Sequence, residues 1–175
     1  VSDTALGFTW AVNARENKLT PWYNDIAVGN NGEMLVLRSD NHFYNLVNGA
    51  LCSFAQTDAR YEGMANDISS EITVTVPERG CVKQVEVTLT NRAVTERKIT
   101  LAYYTEPVLG VDRADSRYLS ATFEGGKLIV RNPFQTAVRG VSCLSCDADT
   151  PRCVCDRAEF FCGRWEDGNT QNSVD

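Results

Sequence analysis

Residues 68–76 read Ile-Ser-Ser-Glu-Ile-Thr-Val-Thr-Val, and residues 82–90 read Val-Lys-Gln-Val-Glu-Val-Thr-Leu-Thr. In the first stretch Ile72, Val74 and Val76 share one phase, while Thr73 and Thr75 occupy the other. In the second, Val85, Val87 and Leu89 alternate with Glu86 and Thr88. A period of two is that of a strand with one face in a core and the other in water. Pro77 and Gly80 punctuate the turn between them. Beyond a turn that begins at Asn91, residues 99–105 alternate again, with Ile99, Leu101 and Tyr103 predicted to point inward. Shorter strands are predicted at 6–12, 33–38, 51–57, 117–123, 127–131, 137–145 and 153–161. Clusters such as Gly29-Asn30-Asn31-Gly32, Glu124-Gly125-Gly126 and Asn132-Pro133 bound them. No window of a dozen residues carries a helical period. About ten short strands with regular turn signals predict an all-β fold, a large antiparallel β-sandwich. Its expected extent is 1–167, with a polar tail at 168–175.

The composition agrees with one globular domain. Hydrophobic residues make up 43% and charged residues 23% of the 175, enough for a sizeable core. The net charge is −6 and no basic stripe appears, which argues against nucleic acid as a partner. No apolar run is long enough to cross a bilayer, so no direct membrane contact is expected. A chain that starts at Val1 reads as a piece excised or processed from something longer. The seven cysteines, at 52, 81, 143, 146, 153, 155 and 162, are an odd number, which fits a fully paired secreted framework poorly. Free, mostly buried thiols in a reducing cytoplasm are the expectation.

The densest polar and aromatic stretch is Trp10 to Asp25. It supplies Trp10, Trp22 and Tyr23 with Asn13, Asn17, Asn24, Arg15 and Asp25. Sugar recognition uses flat aromatic faces for the apolar side of a pyranose ring, and amides, guanidinium groups and carboxylates for its hydroxyls. Trp10, Asn13, Arg15, Asn17, Trp22, Asn24 and Asp25 are therefore the candidate carbohydrate-binding residues. The same Asn and Asp side chains could instead satisfy the loop's own backbone. No catalytic set stands out. A glycosidase needs two carboxylates at a defined separation, and Asp25, Glu33, Glu106, Asp112 and Asp115 show no distinguishing pattern. Glu106 and Arg113 suit a structural ion pair. The single His42 has no partners in the sequence that would make it a base. Cys143, Cys146, Cys153 and Cys155 are the one alternative metal set. Its spacing is awkward, because strand residues three apart face opposite sides.

The run Gly7 to Asp25, GFTWAVNARENKLTPWYND, resembles the N-terminal region of glycoside hydrolase family 94, closest in texture to its cyclic β-1,2-glucan synthase and β-glucan or cellobiose phosphorylase members. Further matches follow in order. Gly32-Glu33 with Leu35, Leu37 and Arg38 resembles the family's G-E-x-L-x-L-R strand. Ile72 to Pro77 followed by Val82-Lys83 resembles its strand–turn–strand unit. Thr90-Asn91, Ala102-Tyr103 and Glu106 to Arg113 resemble a further segment, with Pro107 where tryptophan is common. Arg131-Asn132-Pro133-Phe134 and Asp156 to Phe160 complete the series. The cysteine positions correspond to apolar or small residues in that pattern.

The resemblance implies a supersandwich-like, carbohydrate-binding-type domain without catalytic residues. In the family it precedes an (α/α)6 toroid that carries the acid. Inorganic phosphate or a nucleotide sugar would bind that missing part, and no cofactor is expected in this chain. Implied partners are a weakly bound β-linked gluco-oligosaccharide, the toroid, and a second copy in a homodimer of the parent enzyme. Arg15, Asn17 and Trp22 are the candidates for an active-site rim at that interface. The implied location is cytoplasmic, including the cytoplasmic side of a membrane-embedded parent. A stand-alone carbohydrate-binding module and a purely structural oligomerisation domain are the alternatives.

Overall fold

In the computed structural model, residues 1–2, 5–22 and 32–161 are described. The predicted tail at 168–175, Asn24, Asp25 and Cys162 lie outside them. Three hairpins share one device. Asp40-Asn41 joins β1 (Glu33–Ser39) to β2 (His42–Asn45), and Asn66-Asp67 joins β4 (Asp58–Ala65) to β5 (Ile68–Thr75). Gly125-Gly126 joins β8 (Ser120–Glu124) to β9 (Lys127–Arg131). All six linking residues have φ between 49° and 74°. A two-residue loop with both residues left-handed matches the right-handed twist of the strands it joins. The pairs Ser39 with His42, Ala65 with Ile68 and Glu124 with Lys127 set each register.

With β3 (Leu51–Phe54), β6 (Gln84–Asn91), β7 (Ile99–Thr105) and β10 (Val141–Ser145), the described residues form three antiparallel sheets. Their orders are β2-β1-β7, β3-β4-β5-β6 and β10-β9-β8. The second is a meander, and β7 returns from it to pair with β1. Leu35 and Leu37 of β1 join Ala59, Tyr61, Ile68, Ile72 and Val74 of β4 and β5 in one buried cluster, with Leu6, Leu46 and Val47. Val85, Val87 and Leu89 of β6 pack against it. The expected all-β sandwich is thus observed, with its core between the first two sheets.

Several predicted elements differ. Segment 6–12 is not a strand: Gly7 (φ 128°) and Val12 (φ 67°) interrupt it, and only Trp10 makes an isolated bridge. Segment 153–161 ends in a short helix, α1 (Arg157–Phe161), because the Asp156 carboxylate accepts from the Ala158 and Glu159 amides and caps it. A 3₁₀ helix (Arg113–Tyr118) precedes β8, capped reciprocally by Asp112 and Asp115. Val76 lies past the end of β5 and is exposed, and Ile99 and Leu101 are also exposed on an edge strand of their sheet. The two strands not predicted, β2 and β4, bring the number among the described residues to ten.

None of the six described cysteines is buried, contrary to the expectation. The reason is local. Cys143 faces outward on β10, in a sheet whose opposite edge strand β8 is exposed along its length.

Candidate functional site

The 10–22 loop is held from below by a buried charge. Glu33 opens β1 in phase with Leu35 and Leu37, so its side chain points inward and is 2% exposed. Lys83, just before β6, is likewise in phase with Val85, Val87 and Leu89. Its ammonium donates to Glu33 Oε2, to the Leu6 carbonyl at 2.9 Å and to Thr9 Oγ1 at 3.2 Å. Glu33 also accepts from the hydroxyls of Thr9, Thr20 (2.8 Å) and Tyr103 (2.7 Å). Burial pushes the Glu33 carboxyl up. The adjacent Lys83 charge and the bonds from Lys83, Thr9 and Tyr103 outweigh burial and hold it below the ordinary glutamate range. Burial, then the Glu33 carboxylate, push the Tyr103 phenol far up, so it remains a donor. The composition of these strands does not reveal the network. Its phase does, because two opposite charges each stand in the apolar register of a strand.

Thr9 and Thr20 are the two feet of the loop. The Thr9 amide donates to Thr20 Oγ1 at 2.9 Å, and the Leu19 amide to the Thr9 carbonyl at 2.8 Å. Between them Trp10 bridges Lys18, and Lys18 bridges Gly110. The Val108 amide donates to the Leu19 carbonyl at 2.9 Å, and Gln135 Nε2 to the Glu16 carbonyl at 2.7 Å. Gly110 has no room for a side chain, since an added Cβ would stand 2.8 Å from Asp115 Cβ. Val12, at the loop tip, holds φ 67°, an outlier for a β-branched residue.

The predicted candidates divide into three groups. Asn13 and Asn17 serve the loop itself: Asn13 Oδ1 accepts from the Arg15 and Glu16 amides at 2.8 and 3.1 Å, and the buried Asn17 amide donates to the Ala11 carbonyl at 3.0 Å. Trp10 (50% exposed), Trp22 (56% exposed) and Arg15 present themselves to solvent. Trp22 stacks on Phe8 with ring centroids 5.5 Å apart and planes inclined by 22°, so an exposed indole is held by a neighbouring ring. Asn24 and Asp25 lie outside the described residues.

A second aromatic pair was not anticipated. Tyr118 and Phe134 meet at 5.1 Å, Phe134 is 70% exposed, and the Arg117 guanidinium lies 4.7 Å from the Tyr118 ring. Phe134 is followed by Gln135, whose amide holds the loop at Glu16. The Arg131-Asn132-Pro133-Phe134 motif marks this region in the sequence. Asn132 anchors it by donating to the Leu109 carbonyl at 3.0 Å.

Glu106 and Arg113 form the ion pair their positions suggested: Arg113 Nη2 donates to Glu106 Oε2 at 2.6 Å, with Arg157 4.0 Å away. His42 lies on β2 with Nδ1 2.9 Å from the Asp40 carbonyl. Among the described residues no group of three or more His, Cys, Asp or Glu side chains could hold a metal ion. The alternative set of Cys143, Cys146, Cys153 and Cys155 is thus not assembled: Cys143 and Cys146 are split between β10 and the chain beyond it, and only Cys153 and Cys155 meet. Among the described residues no helix is long and apolar enough to cross a membrane.

Comparison with known proteins converges on one group. The family described as Glycosyl hydrolase 94, supersandwich domain, matches residues 1–172. The cyclic β-(1,2)-glucan synthase NdvB of Rhizobium meliloti (strain 1021) is 28% identical over 175 residues, covering 92% of this chain and 6% of that protein. The chain therefore spans a small fraction of the relative's length.

Proposed function

Because the chain belongs to the glycosyl hydrolase 94 supersandwich family, we propose that it is the non-catalytic sandwich domain of an enzyme that synthesises or phosphorolyses β-glucans. The 10–22 loop then faces sugar at the rim of that enzyme's active site. The observation that carries this reading is the Trp22 ring, stacked on Phe8 and still more than half exposed. An exposed aromatic ring held in place by a neighbour suits the C–H side of a pyranose ring. Trp10 and Arg15 are the further contacts from the loop. Asn13 and Asn17 act by holding its shape, and Asn24 and Asp25 would extend the polar part of the site. Tyr118 and Phe134 are a second exposed aromatic pair, tied to the loop through the Gln135–Glu16 bond.

The strained Val12 supports the same assignment, since backbone outliers cluster where a loop is held in a working conformation. The acid, and the phosphate or nucleotide sugar it works with, belong to an (α/α)6 partner domain outside this chain. The sandwich would contribute to a homodimer interface, and the enzyme would work in, or facing, the cytoplasm. The domain itself needs no cofactor in this reading.

Calorimetric titration with β-1,2- and β-1,4-linked gluco-oligosaccharides, beside Trp22→Ala, tests it. Weak or undetectable heat is the expected result, because a rim supplies only part of a site. Tight binding lost in Trp22→Ala would instead make the chain a binding module in its own right. Tight binding retained in Trp22→Ala would remove the loop from the site.

A further inference from the structure

Cys153 and Cys155 lie in the irregular segment between β10 and α1, and their sulfurs are 3.6 Å apart. Cys155 is exposed and Cys153 half-buried. The two thiols stand apart from any larger cluster, since no third His, Cys, Asp or Glu joins them among the described residues. We propose that Cys153 and Cys155 are a dithiol that a low-molecular-weight disulfide of the glutathione type closes to an intramolecular disulfide. This does not depend on the sugar-facing reading of the 10–22 loop.

The geometry favours closure over mixed adducts. A disulfide needs its sulfurs about 2.05 Å apart, so the pair must approach by only about 1.5 Å, within reach of side-chain rotation. Roles follow from exposure. The Cys155 thiolate attacks one sulfur of the small disulfide, forming a mixed disulfide and expelling one thiolate. Cys153 then loses its proton, and its sulfur attacks Cys155 Sγ, forming the internal bond and expelling the second thiolate. Two electrons pass from the cysteine pair to the small disulfide, and the two cysteine protons end on the two released thiols. Burial, then the Cys155 sulfur, push the Cys153 thiol up to about 12. It therefore waits as the protonated partner and acts second, once Cys155 has been modified.

The position gives the closed form a structural reach. Asp156, the next residue, caps α1. Phe160 of that helix lies against Tyr104 of β7 at 5.0 Å. On the other side Pro151 fits against Gly126 of the β8–β9 hairpin, where an added Cβ would be 3.1 Å from its ring. A ring closed between these two anchors stiffens the segment that links the third sheet to the outer face of β7.

The test exploits Arg152 and Arg157, which bracket both cysteines in a single tryptic peptide, residues 153–157. The folded chain is equilibrated in oxidised and reduced glutathione, quenched by alkylation, digested and weighed, alongside the same chain unfolded in urea. In the folded chain the peptide is expected to lose two hydrogens and take up no alkyl group, at an oxidant ratio about tenfold lower than in the unfolded chain. Cys153→Ser is expected to trap the glutathione adduct on Cys155. Equal behaviour folded and unfolded would overturn the proposal. So would stable glutathione adducts on both cysteines of the unmodified chain, or bonds formed instead with Cys143 or Cys146.

Discussion

Replacing Lys83 with methionine removes the charge paired with Glu33 while keeping most of the side chain's volume. Glu33 is 2% exposed and would be left with the Thr9, Thr20 and Tyr103 hydroxyls alone. Breaking a buried pair in this way costs about 3–5 kcal/mol, a large share of the roughly 5–15 kcal/mol that stabilises a domain. Urea unfolding followed by tryptophan fluorescence at pH 7 reads the loss as a lower midpoint. The pH dependence is the sharper signature. With Lys83 present the folded carboxyl lies below its ordinary value of 4.5. Its contribution is therefore complete above that pH and disappears as pH falls through the folded value. Without Lys83, burial prevails and raises the folded carboxyl. Its contribution is then present below the unfolded value and disappears as pH rises through the folded one. The gap between the two proteins must be widest near neutrality and shrink towards pH 4. Glu33→Gln combined with Lys83→Met keeps an acceptor for the hydroxyls and no orphan charge, and should recover most of the loss. A Lys83→Met protein within about 1 kcal/mol of the parent at pH 7 would refute the reasoning, as would a gap that does not change with pH.

Tyr61→Phe removes bonds to the Ser2 and Ala5 carbonyls at 2.9 and 3.3 Å while leaving the ring in the core, and should cost about 1 kcal/mol by urea midpoint. Gly110→Ala forces Asp115 out of its reciprocal cap and should cost about 1–3 kcal/mol, read as a lower thermal midpoint. Val12→Gly relieves the left-handed strain at the loop tip and should stabilise the chain by about 1 kcal/mol, again by urea midpoint.

The strands at the centre of the meander were legible because their chemistry is simple. Ile72 and Val74 alternate with threonines, and the structure buries the first set. β4 hid for the opposite reason. Its inward residues are Ala59, Tyr61, Gly63 and Ala65, mostly too small to look apolar, while its outward ones are Arg60, Glu62 and Met64. Neighbouring strands supply the bulk that its own core positions lack. β2 is only four residues long, and the Asp40-Asn41 turn is its clearest mark. Segment 6–12 carries apolar residues but takes its shape from contacts far along the chain, with Lys83 and Glu33, which no local window contains. The α1 helix had a signal that periodicity misses: Asp156 followed three residues later by Glu159.

For the candidate site, composition singled out the loop but could not sort its members. Asn13 and Asn17 bond to the loop's own backbone, whereas Trp10 and Trp22 present exposed rings and Arg15 an exposed guanidinium. Phe134 stands far from the loop in sequence, and the bond that ties its neighbour Gln135 to Glu16 is one that no local window contains.

In an assembled enzyme Trp22, as a rim residue, would meet the glucan. Trp22→Ala in the full-length enzyme that carries this domain, assayed against glucan acceptors of increasing length, tests it most directly. A rim role for Trp22 predicts a KM raised about tenfold for long acceptors, equivalent to about 1.4 kcal/mol of lost stacking, with kcat and the urea midpoint little changed. An unchanged KM at every acceptor length, in a protein of unaltered stability, would contradict it.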